Sequence, residues 1–68
     1  MSYHVMWTNK YSGETGYVKK VMKVKGYFVN TFEATEAKNY KTVADAEKDI
    51  EVLTTLGEAE NNDFSVVE

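Results

Sequence analysis

Few side chains in this sequence have the chemistry to make or break bonds. His4 is the sole histidine and cysteine is absent, which excludes a thiol–imidazole nucleophile pair and a cysteine zinc site. Ser2, Ser12 and Ser65 fall near the start, in a glycine-containing loop and in the last apolar segment, none within a nucleophile-elbow motif. Gly13 and Gly16 are spaced for a hairpin, not for a loop that cradles phosphate. The densest titratable group is Asp45, Glu47, Asp49 and Glu51. On a helix, residues two apart diverge by about 200°, so successive carboxylates do not converge on one cation. Asp45 with Asp49, and Glu47 with Glu51, do share faces, and these pairs read as solvated helix surface. The stretch Glu60-Asn61-Asn62-Asp63 lacks the ligand count of a calcium loop. The residues therefore point away from catalysis: no catalytic residue, no metal site and no cofactor is expected.

Binding chemistry is better represented. Residues 17–25 alternate with period two, the signal of a half-buried strand. Val18, Lys20, Met22 and Val24 fall on one side, and Tyr17, Lys19, Val21, Lys23 and Lys25 on the other. With His4 and Met6 from a preceding strand and Tyr27 and Val29 from a following one, the second set forms a candidate interaction face. Lysines interleaved with tyrosines can track a nucleic-acid backbone and stack bases without reading sequence. The same composition is common on solvated antiparallel faces, and lysines on a sheet edge block unwanted strand pairing. The apolar members of the face exceed what solvation requires, which favours a protein contact.

The run Lys25-Gly26-Tyr27-Phe28-Val29-Asn30-Thr31-Phe32 begins like the RNA-recognition signature K/R-G-F/Y-G/A-F-V-x-F/Y, but fits only Lys25, Gly26, Tyr27 and Phe32. Base stacking needs aromatics two apart on one strand face. Two residues from Tyr27 stands Val29, so the stretch is read as a hairpin.

These residues must be positioned by short elements. Strands are expected near 3–8, 17–25, 27–32 and 64–67, with turns at Ser12-Gly13 and Lys25-Gly26. Thr42 is placed to cap a helix over 43–56, which Gly57 would stop in the left-handed conformation. The segment 34–40 reads as an irregular turn followed by an extended piece. The result is a single α+β domain over 1–68, a mainly antiparallel β-β-β-α-β sheet with one helix on one face. Its core would be Val5, Trp7, Val18, Met22, Val24, Phe28 and Phe32 from the front. Val43, Ala46, Ile50, Leu53, Phe64 and Val66 would complete it.

Sixty-eight residues with 43% hydrophobic and 28% charged content suit one small folded unit held by packing alone. The net charge of −3 conceals an asymmetry. Residues 1–41 carry seven lysines against three glutamates, and residues 42–68 carry one lysine against eight acids. Arginine is absent, which counts against bidentate phosphate recognition. A helix studded with carboxylates could instead imitate a phosphate backbone. No run approaches the ~20 apolar residues of a membrane span, and no charged segment followed by an apolar one opens the chain. A cytoplasmic location is expected, without membrane contact, with a monomer at micromolar concentration and an unidentified protein as the leading partner. Nucleic acid is the alternative.

The order of a first strand, then "TGYVKKV", "YFVNTF" and "EAKNYKTVADAEK", resembles a loose class of small proteins from phages, prophages and other mobile DNA of Gram-positive bacteria. That resemblance implies a ββ(β)αβ fold, a bacterial host and an accessory role. It transfers no functional residue.

Overall fold

A computed structural model describes residues 2–68. Four strands, β1 (His4–Asn9), β2 (Thr15–Met22), β3 (Tyr27–Thr31) and β4 (Asn62–Val67), form one antiparallel sheet in the order β3-β2-β1-β4. One helix, α1 (Val43–Thr55), packs on one face, giving the α+β architecture that the sequence pattern implies. Among the described residues no helix is long and apolar enough to cross a membrane.

Local chemistry explains the boundaries. Asn9 ends β1 because its side-chain oxygen accepts from the amides of Tyr11 and Ser12 while its carbonyl accepts from Gly13; such Asx turns reverse the chain. Thr42 caps α1, its hydroxyl accepting from the Asp45 amide at 3.1 Å. Gly57, at φ 89°, carries the chain out of the helix in a conformation that other residues rarely adopt. At the far end of the sheet Asn62 is buried, donating to the Glu58 carbonyl and accepting from Asn9.

The core departs from the expected set. Val5, Trp7 and Val18 on the strands and Ala46 and Leu53 at helical spacing are buried as expected, with Phe28, Ile50, Phe64 and Val66 packed against them. Met22 is only half-buried and opposes Tyr27 outside the core, whereas Val24 is fully exposed in the β2–β3 turn. Phe32 is 61% exposed, touching Trp7 edge-on at 5.8 Å, and Val43 is 41% exposed. One irregularity causes the change on β2. The register with β3 shifts between Val18 and Lys20, and an extra residue in a strand reverses the faces of everything beyond it. Val21 therefore turns inward, opposite Phe28 and against the core. β2 also stops at Met22, so residues 23–26 form the turn instead of Lys25-Gly26 alone.

The extended piece before the helix has an unforeseen role. Tyr3 and Tyr40 exchange both backbone hydrogen bonds, each at 2.9 Å, and the Lys38 amide donates to the Val18 carbonyl at 3.0 Å. Residues 38–40 thus fill the gap where β1 and β2 separate beyond Met6 and Tyr17. Lys38 and Tyr40, two apart on an extended chain, share a face and meet the same group. Asp49 of α1 accepts from the Tyr40 hydroxyl at 2.5 Å and from Lys38 Nζ at 2.8 Å. Asp49 is 6% exposed and Tyr40 is likewise buried. Burial alone would raise the Asp49 pKa, but the hydrogen bonds from Lys38 and Tyr40, with the charges of Lys38 and Lys23, outweigh it and hold the carboxyl below its usual value. Burial, then the bond and charge of Asp49, push the Tyr40 phenol well above its usual value.

The direction of the Asp49 shift fixes a pH dependence. A carboxyl with a lowered folded-state pKa stabilises the fold above its unfolded value, here 3.8, and loses that contribution as pH falls through the folded value. Stability measured by denaturant unfolding should drop as the pH is lowered below about 4, and Asp49→Asn should flatten that part of the drop. At neutral pH the same variant should cost about 1–3 kcal/mol, since Lys38 loses its counter-charge beside a buried phenol. A second substitution tests packing. A Cβ on Gly16 would come 2.8 Å from Trp7 Cζ2 and 2.9 Å from the Thr31 carbonyl, so Gly16→Ala should destabilise by about 1–3 kcal/mol.

Candidate interaction face

With α1 on one side, the other side of the sheet is uncovered, and the register states which side chains share it. Met6 opposes Tyr17, Tyr17 opposes Thr31, Lys20 opposes Val29 and Met22 opposes Tyr27. His4 lies two residues from Met6 and meets Tyr17 edge-on at 6.1 Å. His4, Met6, Tyr17, Tyr27 and Val29 are therefore brought together as the sequence pattern places them.

The remaining four expected members are not with them. Val21 is turned into the core by the register shift at Lys19. Lys19 occupies the irregular position, its Nζ 3.5 Å from Glu36 in the short 3-10 turn Ala34–Glu36. Lys23 and Lys25 lie in the turn after β2. There Lys23 borders an open groove of about 410 Å³, also lined by Lys48, Glu51, Val52, Thr55 and Leu56 of the helix end. In exchange, the shift brings Lys20 and Met22 onto the face, both of which strict alternation assigns to the core side. The face thus loses three lysines and gains one. Its centre is apolar and aromatic: Met6, Tyr17, Met22, Tyr27 and Val29.

His4 has a defined protonation geometry. Its Nδ1 stands 3.1 Å from the Lys38 carbonyl, and a carbonyl only accepts. Nδ1 therefore carries the hydrogen, leaving Nε2 as the acceptor of the neutral ring. The contact also ties the face to residues 38–40.

Charge on the opposite side is partly consumed internally. Asp49, expected on a solvated helix surface, is instead the partner of Tyr40 and Lys38, because the apolar stripe of α1 places position 49 between Ala46 and Leu53, all three buried. The helix keeps Asp45, Glu47 and Glu51 exposed, interrupted by exposed Lys48. Among the described residues no three histidine or acidic side chains are grouped to hold a metal ion. Every buried side-chain nitrogen and oxygen among them has a hydrogen-bond partner. The Asp49 cluster is thus a satisfied structural network.

No family model matches this chain, and neither a curated protein nor a solved structure matches it.

The reversal at Lys19 is directly testable. Val21→Ala should cost about 1–2 kcal/mol, as expected for a partly buried valine. Lys23→Ala should stay within about 0.5 kcal/mol. Equal, small effects at both positions would mean that β2 alternates strictly through to Lys25.

Proposed function

We propose that this chain is a small non-enzymatic accessory module of phage or mobile-element type, cytoplasmic, that binds another protein through its uncovered sheet face. One observation carries the reading. The centre of that face is Met6, Tyr17, Met22, Tyr27 and Val29, with only Lys20 and His4 among them able to carry charge. Aromatic and methionine side chains with few charges are the composition of a protein contact. A backbone-tracking nucleic-acid surface instead needs a row of cations. The lysines that would supply such a row are dispersed: Lys19 beside Glu36, Lys38 on Asp49, Lys10 beside Asp63 and Lys23 in the helix-side groove. The acidic helix is a weaker candidate as a phosphate mimic, since Asp49 is withdrawn from it and Lys48 divides the rest. On this reading the module carries out no catalysis, needs no cofactor and is a monomer at micromolar concentration.

Two measurements test the reading. Amide shifts should not move on adding single-stranded or duplex oligonucleotides at low salt; movement of the Lys20, Met22 and Tyr27 amides that vanishes at high salt would assign the face to nucleic acid. A photo-crosslinking residue at Tyr17 should trap a discrete protein partner in host cells, and one at Glu47 on the far side should not.

A further inference from the structure

The two outer strands are β3 and β4, and the lysines expected to guard an edge lie instead on interior β2 or in the turn beyond it. β3 reads Tyr27-Phe28-Val29-Asn30-Thr31, with no charge and no proline, and the irregular position belongs to β2. An uncharged, unbulged edge is a template for strand pairing.

Hydrogen-bond parity states which groups of that edge are free. The Asn9 amide bonds the Glu14 carbonyl, so ahead of the irregular position the even residues of β2 turn their backbone groups toward β1. The odd ones, Tyr17 included, turn theirs toward β3. Tyr17 opposes Thr31. Thr31, Val29 and Tyr27 therefore direct their amides and carbonyls to β2, and Phe28 and Asn30 direct theirs away from the sheet.

We propose that β3 pairs antiparallel with β3 of a second copy of this chain, around a two-fold axis at Val29. The strand is self-complementary in that register. Phe28 faces Asn30 of the other copy, and the free groups of the two residues exchange hydrogen bonds, repeated by symmetry. On the uncovered face Val29 meets its own copy and Tyr27 meets Thr31, so no like charges are opposed. The other edge fails the same test. β4 carries Asp63, with Glu68 just beyond it, and no cation, so two copies of it would gather only negative charge.

The strand is short and the contact weak, so the dimer forms only above micromolar concentration, in keeping with a monomer below it. The contact uses the edge of the sheet and is separable from use of the open face. Sedimentation and amide-shift mapping of the full chain over a concentration series test it. Self-association should rise with concentration, with the largest shifts at Phe28 to Thr31. Asn30→Pro removes an edge-facing amide donor, which proline tolerates on outer strands, and should abolish association. Tyr27→Lys with Thr31→Lys sets like charges face to face across the axis and should weaken it by about tenfold, whereas Tyr27→Lys with Thr31→Glu should restore it; this pair carries the test even if the proline variant does not fold. Three results would overturn the proposal: association unmoved by all these changes, association mapping to Met6 and Tyr17 by stacking of sheet faces, or no association at any concentration. A chain that stays monomeric but whose β3 amides shift with an added extended peptide would likewise exclude a second copy as the occupant.

Discussion

The carboxylate of Asp49 holds this fold in its particular form. A buried carboxylate is costly unless it is hydrogen-bonded or paired with a charge, and here a phenol at 2.5 Å and an ammonium at 2.8 Å both donate to its Oδ2. Both donors come from one short extended segment, so satisfying Asp49 fixes that segment on the sheet. Lys38 and Tyr40 then lie between the separating ends of β1 and β2, bonded to Tyr3 on one side and to Val18 on the other. Lys38 Nζ also stands 5.0 Å from the Tyr40 ring centre, within range of a cation–π contact. Helix, sheet and connecting segment are thus joined through one polar cluster inside an otherwise apolar core.

Consequences reach the far side of the sheet. β2 leaves β1 after Tyr17, passes the irregular position at Lys19 and resumes pairing with β3 in reversed parity. Val21 enters the core, and Lys20 and Met22 come out to the open face. The residue types available for binding therefore depend on a backbone irregularity that the filled gap accompanies. Two of the ion pairs, Lys10 with Asp63 and Lys38 with Asp49, join the basic front of the chain to its acidic back. Only the second is sheltered; the first, at 3.9 Å with both groups well exposed, contributes little.

Much of the fold was legible because its signals are local. The Thr42 cap, the Gly57 stop, the turn chemistry after Asn9 and the period-two pattern of β1 and early β2 each act within a few residues. What was not legible is non-local. Nothing near Lys19 announces a bulge, so strict alternation carried Met22 and Val24 into the core and Val21, Lys23 and Lys25 onto the face. Asp49 looked like one more carboxylate in an acidic helix. Its position between Ala46 and Leu53 was the available signal, since a residue flanked by core positions at three and four residues shares their stripe. Tyr40 and Ala37 entered the core from a segment with no periodicity. Of the candidate face, His4, Met6, Tyr27 and Val29 came through because they lie on strands that the irregularity does not touch, and Tyr17 because it precedes the irregularity on β2.

Amide hydrogen exchange at neutral pH tests most directly whether residues 38–40 are an integral part of the sheet. The amides of Tyr3, Lys38 and Tyr40 should exchange as slowly as that of Trp7 at the centre of β1, because opening any of them requires breaking the Asp49 cluster. Lys38 and Tyr40 amides that exchange at surface-loop rates while Trp7 stays protected would contradict the account, leaving the course of β2 and the composition of the open face without their stated cause.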